Sequence, residues 1–248
     1  MNPQQFRQAL AKQQIMLSDQ QMQQFALYYD LLVKGNEQLN LTSITEQGEV
    51  YLKHFYDSMT PAFSFPALKT DSLTLCDVGA GAGFPSLPLK IAFPNLKITI
   101  IDSLNKRIIF LEQLVAQLGL SDVTLVHDRA ETFGAKTSLH REFYDVVTAR
   151  AVARLSVLSE LCLPLVKLNG TFIALKASQA DDELAQAKVA IETLGANVSA
   201  VDQLVLPQSD EPRTIIVMNK VDQTPDKYPR RPGVPAKKNR SGEIPVVI

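Results

Sequence analysis

The chain has 248 residues, with 25 Lys+Arg against 26 Asp+Glu for a net charge of −1, and 46% of its residues are hydrophobic. That mix excludes disorder over most of the chain, because there is ample apolar surface to bury. It also excludes a uniformly basic coat protein, so a nucleic-acid partner would need locally concentrated positive charge.

The N-terminus has no apolar signal region, and no apolar stretch approaches the roughly 20 residues of a membrane span. A cytoplasmic, monomeric protein is expected. Residues 1–62 read as a helical cap. Pro3 suits a first helical turn, and Ser18 with Gln21 forms a capping-box pattern. Met22, Phe25, Tyr29 and Leu32 then recur at helical spacing as one apolar stripe. Asn40 to Ser43 reads as a loop, and a third helix is predicted near Glu49 to Met59.

Residues 63–224 alternate strand and helix. Strands are predicted at Leu73–Val78, Lys97–Ile101, Val123–Val126, Tyr144–Thr148 and Gly170–Leu175. Helices are predicted from about Leu104 to Leu118, stopping at Gly119, from about Leu155 to Val166 with an interruption near Pro164, and from Ala180 to Leu194. Continuous apolar strands separated by helices imply a parallel, doubly wound sheet. Val198–Leu206 and Arg213–Met218 follow with only a hairpin-length link, so the sheet ends in an antiparallel pair. Cys76 and Cys162 both lie in apolar runs. They support neither a disulfide framework nor a zinc site and read as core residues in a reducing compartment. Residues 225–248 read as a separate, extended, basic Pro-rich tail that buries little. It contains Lys227, Arg230, Arg231, Lys237, Lys238 and Arg240, with Asp226 and Glu243 as its acids.

The chemistry begins at Asp77-Val-Gly79-Ala-Gly81-Ala-Gly83-Phe84, a strand running into a glycine turn and then a helix. Glycines there let backbone amides approach a ligand, and Asp102 stands nineteen residues after Gly83, where an acid accepts ribose hydroxyls. The spacing G-x-G-x-G, with Asp77 two residues ahead, suits the ammonium of S-adenosylmethionine, met directly or through backbone and water, better than a dinucleotide pyrophosphate. The terminal hairpin also fits a Rossmann-like, class I methyltransferase sheet of seven strands. A methyltransferase acting on a non-RNA substrate, an NAD-dependent oxidoreductase and an inactive RNA-binding factor are the alternatives.

The segments NLTSI at 40–44, HFYDS at 54–58, DVGAGAGFPSLPLKI at 77–91, IDSLNKR at 101–107, HDRAETF at 127–133, TARAVA at 148–153, ALKA at 174–177 and the tail KYPRRPGVPAKK resemble the glucose-inhibited division protein B family, the small-subunit rRNA methyltransferase G enzymes. The resemblance implies methylation of N7 of one guanine in 16S rRNA near the decoding centre. It implies a cofactor shell of Gly79, Phe84, Ala130, Glu131 and Arg150, which Asp77, Gly81, Gly83 and Asp102 join from the spacing above.

Guanine N7 has a lone pair and no proton to lose, so no general base and no catalytic residue are assigned. The place after the fourth strand has no Asn/Asp-Pro-Pro segment, and neither cysteine is presented as a nucleophile. Arg150 is expected to hold a carboxylate, a phosphate or guanine O6 rather than N7, since a cation opposes the charge arriving on the base. Expected RNA contacts are His54, Lys106, Arg107, Lys176, Arg213, Lys227, Arg230, Arg231, Lys237 and Lys238, with Tyr228 as a stacking face. No metal is assigned.

Overall fold

The structure is a computed structural model that describes residues 1–177 and 180–238. The helices Pro3–Lys12 and Asp19–Leu39 both open with reciprocal capping boxes, Asn2 with Gln5 and Ser18 with Gln21. Gln21 also donates to the Ile91 carbonyl at 2.7 Å, tying the second helix to the body. The buried stripe of this helix is Phe25, Tyr28 and Leu32. Tyr28 replaces the expected Tyr29 because its hydroxyl finds the buried Ala82 carbonyl at 2.7 Å, whereas the Tyr29 hydroxyl bonds at the surface to Thr45.

The third helix forms with an irregularity the sequence did not announce. Gln47–Glu49 continues through a π-helical stretch, Val50–Tyr56, into Asp57–Met59. The Asp57 amide bonds to the carbonyls of Leu52 and His54, and the Lys53 carbonyl between them accepts a bond from Arg150 at 3.3 Å. Such wide turns often mark functional positions.

Seven strands form one sheet: β1 Thr74–Val78, β2 Lys97–Asp102, β3 Val123–His127, β4 Tyr144–Arg150, β5 Val166–Lys176, β6 Ala196–Val205 and β7 Pro212–Lys220. Their order is β3-β2-β1-β4-β5-β7-β6. Strands β1 to β5 are parallel, and β7 pairs antiparallel with both β5 and β6. The link between β6 and β7 is too short for a crossover, so the pair must be a hairpin. The order reverses between β1 and β4, and ligands of such sheets bind at the carboxyl ends of the strands beside that reversal.

One face of the sheet shares a core with the N-terminal helices, from Phe6, Phe25 and Phe55 through Leu87 and Leu111 to Val146. The other face packs against the helices Leu155–Cys162 and Ala180–Thr193 around Phe172, Val147 and Cys162. The interruption expected near Pro164 is present: the α-helix ends at Cys162 and gives way to a 3₁₀ turn, Leu163–Leu165, with Pro164 inside it.

The tail corrects the sequence reading. Residues 225–236 are not a separate solvated segment. Tyr228, expected to offer a stacking face, is 7% exposed and joins the second core. Arg230 meets the buried Glu160 through both nitrogens of a guanidinium fork, at 2.9 and 2.5 Å. The composition was right about charge but not about extension throughout, since Val234–Lys238 is helical; it could not show that Glu160, an acid inside an apolar helix, waits as a partner. Lys227 and Arg231 are exposed, Lys237 and Lys238 end the short helix Val234–Lys238, and Arg240 lies outside the described residues. Among the described residues no helix is long and apolar enough to cross a membrane.

Candidate cofactor and substrate clefts

Two clefts open at the carboxyl end of the sheet and meet at Ala151. The first, about 400 Å³, lies over the ends of β1 and β2 and is lined by Gly79, Asp102, Arg107, Asp128, Ala130, Glu131 and Leu161 among others. The second, about 550 Å³, lies beyond β4, β5 and β7 and is lined by Lys53, His54, Asp57, Arg150, Lys176, Glu183, Glu211 and Arg213. Ala151 lines both and has φ +55°, a left-handed conformation that a non-glycine residue holds only where its surroundings impose it.

The glycine turn divides its work. Gly79 has φ +75°, and a Cβ there would come within 2.9 Å of Val152. Gly81 opens to free space and donates its amide to Asp102 at 3.3 Å. Gly83 is a correction: it does not face a ligand. A Cβ there would lie 2.7 Å from the Tyr28 hydroxyl and from Leu87, so this glycine lets the N-terminal helix pack onto the turn.

Asp102 is 3% exposed. Its carboxylate accepts from the Leu104 amide at 2.9 Å and from Arg107 at 3.2 Å, besides Gly81. Arg107, expected at RNA, therefore belongs to the first cleft. Lys106 beside it is exposed. The Glu131 carboxylate is held by the Gly233 amide at 2.9 Å.

Of the two routes expected for Asp77, direct contact and action through backbone and water, its burial leaves the second. Asp77 is fully buried and accepts from the Ser86 amide at 3.1 Å, capping the start of the helix Ser86–Ala92. Its other carboxylate oxygen has no partner. Burial is the largest influence and pushes its pKa up to about 7, against the Ser86 hydrogen bonds and the Arg150 charge, which lower it. The folded state then holds this proton more tightly than the unfolded chain, whose Asp titrates near 4. Stability from this group is complete below about pH 4 and is lost as pH rises to 7, by up to about 4 kcal/mol. Urea unfolding of the cofactor-free protein is expected to show a loss between about pH 4 and 7 that Asp77→Asn flattens; equal slopes in the two proteins would refute the assignment.

Around the second cleft, Phe84 is 5% exposed, stacked on His54 at 4.6 Å and on Tyr28 at 5.5 Å. The Arg150 guanidinium sits 4.9 Å from the centroid of the same ring. Phe84 thus supports Arg150 and His54 from behind, and Arg150 lines the second cleft rather than the first. The carboxylate expected for Arg150 is Asp57, at 3.0 Å. Asp57 also accepts from Arg213 at 3.0 Å, so one buried acid joins two arginines from different strands.

The remaining cations are paired as well. Lys53 bonds Glu211 at 2.8 Å and Glu49 at 3.0 Å. Lys176 bonds Glu183 at 2.6 Å, and Arg213 also bonds Glu211 at 3.0 Å. His54 shares a hydrogen bond with Thr42 at 2.9 Å. Burial first, then the Arg150 charge, pushes its pKa down to about 3, so it is neutral at physiological pH. Sequence reasoning missed Asp57, Lys53, Glu183 and Glu211. Asp57 alone left a signal, three residues after His54 within HFYDS, one helical turn on.

The family model described as rRNA small subunit methyltransferase G matches residues 21–211. Curated relatives named ribosomal RNA small subunit methyltransferase G include those of Limosilactobacillus reuteri, 68% identical over 96% of this chain and 99% of the relative, and Lactiplantibacillus plantarum, 61% identical over 96% and 97%. Among solved structures, a SAM-dependent methyltransferase from Aquifex aeolicus matches with TM-score 0.51 at 17% identity, covering 66% of this chain and 92% of that one. A 16S rRNA (adenine(1408)-N(1))-methyltransferase variant from Catenulisporales acidiphilia matches with TM-score 0.51 at 16% identity, covering 64% and 90%. These two likenesses show the class I methyltransferase fold. The family match over residues 21–211 and the identity of 61–68% across nearly the whole chain carry the further conclusion that this protein belongs to the rRNA small subunit methyltransferase G family.

Proposed function

We propose that this protein is a cytoplasmic enzyme that transfers a methyl group from S-adenosylmethionine to N7 of a guanine in 16S rRNA. The observation that carries this reading is the meeting of the two clefts at Ala151: one has the features of a nucleoside site, and the other is lined by charged side chains whose cations are held in ion pairs.

The first cleft fits the cofactor. Gly81 leaves an open cradle beside Asp102, whose carboxylate is positioned for ribose hydroxyls. Asp102, Asp128 and Glu131 line it against Arg107 and Arg129, a balance that suits a cationic ligand better than a pyrophosphate. When bound, the cofactor supplies an electrophilic methyl on a sulfonium.

The chain's own residues orient and shield. No residue must accept a proton, and the one histidine in the second cleft, His54, is held neutral. A lone cation about 6 Å from the methylated base would oppose the arriving charge by about 3 kcal/mol at an effective dielectric of 20. The pairing of Arg150 with Asp57 removes most of that opposition, while the guanidinium remains able to orient the base through O6.

Calorimetry is expected to show binding of S-adenosylhomocysteine and none of NAD, and mapping should find one methylated guanine in 16S rRNA of purified small subunits. Methylation of no ribosomal guanine would overturn the substrate. With saturating RNA and cofactor, single-turnover rates are expected to stay flat from about pH 6 to 9. Saturation matters because Asp77 titrates near pH 7 beside the cofactor cleft. A bell-shaped profile that His54→Asn abolishes would reveal an acid–base role.

A further inference from the structure

The C-terminal segment is anchored along its length, and two of its anchors, at Arg230 and Gly233, reach the wall of the first cleft. Thr224 donates its amide to Glu142 at 2.7 Å. Arg141 donates to the carbonyls of Thr224 at 2.7 Å and Tyr228 at 2.8 Å, and also to Gly134 at 3.1 Å. Gly134 closes the turn Ala130–Phe133 that carries Glu131. Arg230 then bonds Glu160 through its amide as well as its guanidinium. Finally the Gly233 amide holds Glu131 itself.

Glu160 is 1% exposed, and Arg230 donates to its carboxylate from both the backbone amide and the guanidinium. Removing the partner of a carboxylate buried this deeply is costly, so Glu160 favours the docking of Arg230. Its neighbour Leu161 lines the first cleft, as Ala130 and Glu131 do. The strap therefore grips both the turn and the helix that make one wall of that cleft.

We propose that residues 228–233 position the Ala130–Phe133 turn and thereby set cofactor affinity, with Glu160 and Arg230 as positioning residues. This rests on reading the first cleft as the S-adenosylmethionine site. It assigns the tail a role in cofactor binding, whereas its basic composition alone pointed only to RNA. Because coupling is reciprocal, the bound cofactor must in turn hold the strap down.

The test uses the full chain, with S-adenosylhomocysteine as the probe. In the parent protein, saturating probe is expected to slow trypsin cleavage after Lys227 and Arg230 by fivefold or more. Arg230→Ala is expected to weaken probe binding tenfold or more by calorimetry, with affinity for a 16S rRNA fragment within threefold of the parent. Arg230→Lys, which keeps a charge for Glu160, is expected to recover most of the loss. Cleavage unaffected by the probe, or Arg230→Ala binding it within twofold of the parent, would overturn the proposal. The protease measurement needs no variant, so it decides the matter even where Arg230→Ala fails to fold. A parent protein that does not bind the probe at all would instead overturn the reading of the cleft.

Discussion

Replacing Asp102 by alanine is expected to weaken cofactor binding by about a hundredfold or more. Each hydrogen bond from a ribose hydroxyl to a carboxylate is worth about 1.5–3 kcal/mol, and two hydroxyls face this acid in the proposed complex. The substitution also strands Arg107, whose guanidinium lies 3.2 Å from Asp102, as an uncompensated cation beside a cationic ligand. Some of the effect will be structural, because Asp102 orders the amides of Gly81 and Leu104. Asp102→Asn separates the two contributions: it keeps an acceptor for those amides and loses the charge. Calorimetry on both variants is the measurement, and cofactor affinity unchanged in Asp102→Ala would remove Asp102 from the site.

Asp57→Asn is expected to slow methyl transfer by about a hundredfold while leaving cofactor affinity within a fewfold. The amide keeps the shape and one acceptor oxygen, so the change is chiefly one of charge. Of the two arginines at 3.0 Å from the oxygens of Asp57, Arg150 would then face the second cleft as an uncompensated cation, while Arg213 keeps Glu211 at 3.0 Å. The opposing energy estimated for one such cation, about 3 kcal/mol, corresponds to about a hundredfold in rate. Stability is also expected to fall, since removing one partner of a buried ion-pair set costs about 3–5 kcal/mol. Single-turnover rates at a temperature where urea unfolding shows the variant folded would separate the two losses. An unchanged rate would mean that the arginine charge is not felt at the reacting base.

The strands, the glycine turn and the pairing of β6 with β7 were all legible along the chain. Each depends on residues close together in sequence: apolar runs of strand length, a turn that only glycine tolerates at Gly79, and a link too short for a crossover. The nineteen-residue spacing from Gly83 to Asp102 is likewise set by one strand–helix–strand unit, which is why it found a carboxylate at the cleft.

Other features needed the folded molecule, because they join residues distant in sequence. Nothing near Asp57 says that it will meet Arg150 and Arg213, 93 and 156 residues later. Nothing near Arg230 says that Glu160, seventy residues earlier, will draw it out of solvent. Gly83 and Gly79 look alike in the motif, yet one answers to Tyr28 of the N-terminal helix and the other to Val152. A charged side chain has the same composition whether paired or free. Local sequence carries backbone preference and hydrophobic period, whereas the partner that decides whether a charge serves the fold or a ligand is supplied by packing across the sheet.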